Sequence, residues 1–272
     1  MQLLSIVIPC FNHGQFIKDA IESVEKCPAD LYELIIVDDG STEETTTSVM
    51  SDLKSRGYRV ITQENKGLPA ARNTGIGAAD GKYILPLDSD NKIRHDFVAK
   101  AVALLDDRPE IAIVHSDFQY AGLLDHIARI PPFDIKNMLY TNRIDACALY
   151  RKEVWTACGG YDPQMVKGLE DWEFWLNAYS RDFQFLHLDM VGFEYTARKD
   201  SMLDRIKTAR TWRELEEYVV KKYPMILKDE YRDYYRWDYH GRELRRRPVR
   251  TLFRLFANAF FTKIHDRIYK LD

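Results

Sequence analysis

Two pairs of carboxylates stand at the ends of apolar runs. Asp38 and Asp39 close the run in "ELIIVDDGST" (33–42), and Asp88 and Asp90 close the one in "YILPLDSDN" (83–91). Asp suits turns for its own sake, but two carboxylates at a strand end can also hold a divalent cation. Carboxylate oxygens are hard donors that match Mg²⁺ or Mn²⁺. None of the seven histidines stands in HxH or HxxxH spacing, so zinc is not expected. Mg²⁺ is usually held by one or two carboxylates together with substrate phosphates, so the pair implies a phosphate-bearing ligand. The chain has no GxxxxGK[ST] loop, and no GxGxxG follows its first strand. Phosphate must then be met by a cation and a few side chains.

The surrounding elements decide whether these acids can meet. Apolar runs at 3–9, 33–39, 58–62, 82–88 and 111–117 read as buried strands, and 15–26, 43–56, 68–79 and 95–106 read as helices. Near-continuous apolar strands alternating with helices predict an α/β fold around a parallel sheet covered on both faces. Residues 118–146 are less regular. A strand, a short helix and a Gly-Gly turn follow over 146–162, then a helix at 170–181 and one or two strands over 183–196. In such a sheet, ligands bind outside the carboxyl ends of the strands. All four carboxylates therefore approach one edge, where their repulsion needs a cation or hydrogen-bond donors to offset it.

With 272 residues the chain can form one large domain, or one domain with an appendage. A net charge of −3 does not mark a nucleic-acid binder, and none is expected as a partner. The charge is uneven, however: residues 241–272 hold nine Lys/Arg against three Asp/Glu. The four cysteines match no zinc or CxxC pattern and read as buried thiols of a reducing compartment. "MQLLSIVIPC" lacks the basic start of a signal peptide, and no apolar run is long enough to span a membrane. A cytoplasmic location is expected. In the tail, Val249, Leu252, Phe253, Phe256, Ala257, Phe260, Ile264 and Ile268 recur at helical spacing among basic residues. Residues 245–272 thus read either as a helix packed on the body or on a second copy of the chain, or as one lying on the anionic inner face of a membrane.

Five segments in order carry a resemblance: "SIVIPCFNHGQFIKDAIESV", "ELIIVDDGST", "ENKGLPAARNTGI", "YILPLDSDN" and "GLEDWEFWLNA". Over roughly residues 3–200 the chain resembles the family 2 glycosyltransferases. The resemblance implies a GT-A fold, with a Rossmann-like, mostly parallel sheet flanked by helices. It sets a catalytic domain at 1–202, with a nucleotide-binding half at about 1–117 and an acceptor-side half at about 118–202. The residues from about 203 onward are not covered by the resemblance; they read as helical throughout, so a C-terminal helical extension is expected at 203–272.

The same resemblance implies roles for particular residues. Pro9, Phe11 and Asn12 would seat the nucleoside, with Phe11 either facing a base or packing in the core. Asp39 would accept a hydrogen bond from a pyrimidine N3–H, which suits UDP and dTDP alike, while Asp38 reads as an Asx turn. Lys66, Gly67 and Arg72 would close over the nucleotide; Arg72 is either a phosphate partner or a surface charge. Asp88, Ser89 and Asp90 form the DxD motif, with Asp90 the direct Mn²⁺ or Mg²⁺ ligand, Asp88 beside it and Ser89 a spacer. Asp171 of the ED motif would be the general base, kept ionised by the helix N-terminus. Glu170 and Trp172 would line the acceptor side, Trp172 packing in the core on one side and offering a platform on the other. Arg198 and Ser201 would close on the diphosphate. Gly159 and Gly160 would let the backbone approach the sugar, and Asp162 reads as a turn residue.

The implied reaction is inverting transfer from a nucleotide sugar, UDP-linked by preference, to a hydroxyl of a glycan or lipid-linked acceptor. Polysaccharide biosynthesis is the implied setting. A nucleotidyltransferase, a non-catalytic nucleotide-sugar-binding module and a dinucleotide oxidoreductase are the rivals. The first and third lack the glycine-rich loops they would need.

Overall fold

Continuous apolar runs become strands buried on both faces. β1 (Leu4–Cys10) is buried at every position, and β2 (Tyr32–Asp38) over its last four. In the computed structural model, which describes residues 3–140, 142–199 and 209–223, β1 pairs in parallel with β2 and with β4 (Tyr83–Pro86). β2 pairs in parallel with β3 (Arg59–Thr62). Ser201 and the basic tail at 245–272 lie outside the described residues.

Helices cover both faces of the sheet. α1 (Gly14–Val24) buries Ile17, Ala20, Ile21 and Val24, a spacing that puts all four on one stripe. α4 (His95–Asp107) does the same with Phe97, Val98, Ala101, Val102 and Leu105. Both join Ile6, Ile8, Ile36 and Leu85 in one core. α2 (Glu44–Ser55) adds Met50 and Leu53 to it. α3 (Leu68–Gly77) lies over the opposite face, against Val7 and Val37. A Cβ on Gly75 would come 2.3 Å from Val7 Cγ1 and 3.0 Å from Val37 Cγ2. Gly75→Ala should therefore overpack this contact and cost about 1–3 kcal/mol. A lowered midpoint in chemical denaturation checks it, and an unchanged midpoint would show that α3 can shift freely.

The second half departs from the simple alternation. β6 (Ile111–Gly122) runs past the expected strand end and turns back as a hairpin onto β7 (Ile127–Ala128). β8 (Leu149–Arg151) inserts antiparallel between β4 and β6. β9 (Gln184–Ala197) is parallel to β6, and β5 (Lys92–Ile93) is antiparallel at its far side. The sheet order is β3-β2-β1-β4-β8-β6-β9-β5. Because β8 runs antiparallel to both neighbours, β4 and β6 point the same way, and the carboxyl ends of the long strands share one edge.

The remaining helices are α5 (Ile135–Tyr140), α6 (Lys152–Cys158), α7 (Glu170–Tyr179) and α8 (Ala209–Lys222). Asp162 forms the expected turn, accepting from the Gln164 N–H at 2.9 Å. It also accepts from Tyr218 Oη and Lys222 Nζ at 2.6 Å each, tying α8 to the domain. Gly160 takes φ +83°, and a Cβ there would lie 2.7 Å from Asn73 Oδ1. Its need for glycine is therefore met by protein packing. All four cysteines are buried free thiols. Among the described residues, no helix is long and apolar enough to cross a membrane.

Candidate active site

The strand ends bring the two acidic motifs onto one arginine. Arg72, in the second turn of α3, is 1 % exposed. Its Nη2 donates to Asp88 Oδ1 at 2.6 Å, and its Nη1 donates to Glu170 Oε1. The guanidinium lies 5.4 Å from the Tyr161 ring centre. Arg72 is thus no surface charge: it is the buried link between the DxD loop after β4 and the first turn of α7. Among the described residues its Nε has no hydrogen-bond partner.

Asp171 follows Glu170 in α7. Its Oδ1 accepts from the Trp172 N–H at 2.7 Å and its Oδ2 from Asn142 Nδ2 at 2.7 Å. Residues 170 and 172 are buried, and Asp171 between them is only partly exposed. The helix N-terminus, expected to favour the ionised form of Asp171, is outweighed by the surroundings of its carboxyl. Withdrawal from water, then the charges of Glu170 and Asp145, push its carboxyl well above the usual range, against Arg72. A dipole contribution of about 0.3–1 kcal/mol is smaller than desolvation combined with two like charges.

Asp145, just before β8, was not singled out in the sequence. Desolvation and Asp88 push its carboxyl up to about 7. The unfolded chain releases this proton near the ordinary value of about 3.9, so native stability falls as pH rises from there to about 7. Asn mimics the neutral form. The gain in melting temperature from Asp145→Asn should therefore be larger at pH 8 than at pH 5. An equal shift at both pH values would mean an ordinary carboxylate.

Trp172 departs from expectation. It is 3 % exposed, and its indole N–H donates to the Met138 carbonyl at 2.6 Å. It is a core residue that holds α5 against α7 and offers no platform. Glu170, expected on the acceptor side, is buried against Arg72.

On the nucleotide side, Phe11 is 44 % exposed just past buried β1, so core packing does not account for it. Asn12, at φ +54°, accepts from the N–H groups of Thr42 and Glu43 at 2.9 and 3.1 Å and so orders the turn into α2. Asp38 accepts from the Ser41 N–H at 3.0 Å, three residues on, so it orders this turn by a longer loop than the two-residue Asx turn expected. Asp39 Oδ1 accepts from Gln63 Nε2 and the Lys66 N–H at 2.6 and 3.0 Å, and Oδ2 from the Gly67 N–H at 2.9 Å. Asp39 thereby draws the 63–67 loop over the end of β2. Gly67 takes φ +85°, with Val166 Cγ1 3.1 Å from where its Cβ would be.

Asp90 Oδ2 accepts from Arg198 Nε at 2.8 Å. Ser89 is more than a spacer, since its Oγ lies 3.0 Å from His13 Nδ1. Burial and then Asp88 raise the Asp90 carboxyl, and Arg198 offsets this only in part. Among the described residues no group of three or more His, Cys, Asp or Glu is arranged to hold a metal. Asp88 and Asp90 each have an arginine partner, Arg72 and Arg198, and their hard oxygens nevertheless fit a cation that takes its other ligands from phosphate. His13, Asn142 and Asp145 carry no motif by themselves; only the fold brings them here.

A family model described as Glycosyl transferase family 2 matches residues 5–156. The chain is 31% identical over 123 residues to Glycosyltransferase GlyG of Streptococcus pneumoniae serotype 4, covering 44% of this chain and 40% of that protein. It is 23% identical over 218 residues to a PGL/p-HBAD biosynthesis glycosyltransferase of Mycobacterium tuberculosis, covering 75% of this chain and 81% of that one. The chain thus spans less than half of GlyG. Among solved structures, S. aureus TarS 1–349 in complex with UDP-GlcNAc superposes with a TM-score of 0.66 at 19% identity, over 80% of this chain and 66% of that one. Mannosyltransferase PcManGT from Pyrobaculum calidifontis, in complex with GDP-Man and Mn²⁺, gives 0.58 at 19% identity, over 77% and 61%. At these identities the likeness establishes the fold, which is GT-A-like.

Proposed function

The chain belongs to glycosyl transferase family 2, and from that premise we propose that it transfers a sugar from a nucleoside-diphosphate donor, UDP-linked by preference, to a hydroxyl of a glycan or lipid-linked acceptor. The observation that carries this reading is Arg72, which joins Asp88 to Glu170 and so sets the DxD loop beside the Asp171 helix end. The donors printed for the related structures, UDP-GlcNAc and GDP-Man, support a nucleotide-sugar site in this fold.

In this reading the exposed ring of Phe11 meets the base. Asp39 has its oxygens on backbone N–H groups and Gln63, yet an ionised carboxylate offers about four lone-pair sites, which leaves capacity for a pyrimidine N3–H. Asp90, with Asp88, would hold Mn²⁺ or Mg²⁺, which when bound offsets negative charge on the leaving diphosphate. Asp171 takes the proton from the acceptor hydroxyl. Its raised proton affinity suits that task, and Asn142 fixes the carboxyl plane. Direct attack of the hydroxyl opposite the leaving group inverts the anomeric centre.

Calorimetry tests the donor half of the proposal. UDP should bind with Mn²⁺ present and lose most of its affinity in EDTA. Asp90→Asn should remove the Mn²⁺-dependent part, and Asp88→Asn should weaken it less. Metal-independent binding that is unchanged in Asp90→Asn would refute the assignment of Asp90.

A further inference from the structure

The Asp90 carboxylate already has a cation, and it belongs to the protein. Arg198, one residue beyond β9, donates from Nε to Asp90 Oδ2 at 2.8 Å. Its Nη2 lies 2.7 Å from His13 Nε2, and its guanidinium carbon 4.8 Å from the Phe16 ring centre. A guanidinium has donors only, so His13 Nε2 accepts. The ring proton then sits on Nδ1 and is donated to Ser89 Oγ at 3.0 Å. A closed circuit results: Asp90 to Arg198, Arg198 to His13, and His13 back to the residue beside Asp90. The end of β9 is anchored separately. The Thr196 N–H donates to Asn91 Oδ1 at 3.0 Å, and Thr196 Oγ donates to the Asp90 carbonyl. Arg198 is the first side chain past that anchor with a charge to offer. With 28% of its side chain exposed, it has a way out.

We propose that Arg198 is a resident counter-ion of Asp90 that must leave before a divalent cation can bind there, and that it then pairs with the diphosphate entering alongside that cation. The proposal rests on the donor reading above for the identity of the diphosphate, and on the geometry alone for the competition at Asp90. A divalent cation approaching Asp90 meets the positive guanidinium already bonded to the same carboxylate, and their repulsion sets the two in competition. Without nucleotide, Arg198 loses a charge-assisted hydrogen bond on release and gains only water. With a diphosphate present it gains a partner suited to its planar fork. Release is therefore favourable only when both ligands arrive, and each raises the affinity for the other by the same factor. His13 is a positioning residue that holds Arg198 in place in the resting protein.

Mn²⁺ binding read by the electron paramagnetic resonance of the free ion tests this without any turnover. The probes are Mn²⁺ alone and Mn²⁺ with UDP, on the full chain, for wild type, Arg198→Ala, Arg198→Gln, His13→Ala and Asp90→Asn. Thermal unfolding shows which variants are folded, and the milder Arg198→Gln serves if Arg198→Ala is not. Removing Arg198 should tighten Mn²⁺-alone binding by at least about tenfold, the factor that 1.4 kcal/mol carries. The enhancement by UDP seen in wild type should shrink in the same variants. His13→Ala should move Mn²⁺-alone affinity the same way by less, and Asp90→Asn should abolish it. Unchanged or weaker Mn²⁺-alone binding in both Arg198 variants overturns the proposal, as does Mn²⁺ binding indifferent to Asp90→Asn. If UDP binds none of these proteins the donor reading fails, and the Mn²⁺-alone comparison still decides the competition at Asp90.

Discussion

Asp171→Asn is expected to keep donor binding and to lose sugar transfer by roughly 10²–10⁴-fold, the range general base catalysis supplies. The amide is nearly the same shape, so its oxygen can still cap the Trp172 N–H, and α7 should form as before. What it cannot do is take a proton from an acceptor hydroxyl at neutral pH. The wild-type rate should rise with pH as Asp171 deprotonates. Because burial, Glu170 and Asp145 raise that carboxyl, the rising limb should lie above the usual carboxylate range. In Asp171→Asn the limb should vanish from the residual rate. Transfer within a few-fold of wild type would move the base elsewhere, and Glu170, with one oxygen already on Arg72, would be the next residue to test.

Arg72→Met should have the largest effect on stability. Removing one partner of a buried ion pair typically costs about 3–5 kcal/mol, because the charge left behind has no compensation. Here Glu170, itself buried, and the partly exposed Asp88 lose their shared partner together. Arg72→Lys should recover only part of the loss, since an ammonium lacks the fork that reaches two carboxylates at once. Equilibrium urea unfolding measures both variants. A loss below about 1 kcal/mol for Arg72→Met, the value of an exposed pair, would mean that the acids rearrange or protonate without it.

The first half of the fold was legible because its strands are buried on both faces, so β1, β2 and β4 announce themselves as unbroken apolar runs. The carboxyl-end rule then placed Asp38, Asp39, Asp88 and Asp90 on one edge before any coordinates. The second half was less so. β8 is three residues long and antiparallel, and its place between β4 and β6 depends on partners some 35 to 70 positions away. The hairpin at the end of β6 begins in a run whose apolar character fades after Asp117, where burial becomes partial. The acids could be singled out from residue type and position in sequence, whereas burial, which no local spacing reports, decides the places of Arg72 and Trp172. Arg72 read either as a phosphate partner or as a surface charge, yet it is closed in by α7 and Tyr161. Trp172 looked able to present a face, but α5 covers it. Asp145 and Asn142 reach Asp171 only through the chain's return across the sheet, which no local spacing encodes. The proton affinity of Asp171 was misjudged for the same reason: the helix end is visible in sequence, and the neighbouring acids from other elements are not.

The proposed role of this edge of the sheet is sugar transfer from a nucleoside diphosphate. The most direct measurement presents a panel of nucleotide sugars, on uridine, thymidine and guanosine, to wild-type protein with Mn²⁺ and identifies the nucleotide product by chromatography. Nucleoside diphosphate should be the product, from a UDP-sugar before the others, with release strongly reduced in Asp90→Asn and Asp171→Asn. Nucleoside triphosphate formed from added pyrophosphate would identify a nucleotidyltransferase. Tight binding of a nucleotide sugar with no turnover, in the presence of glycan and lipid-linked acceptors, would identify a binding module, and either result would contradict the claim.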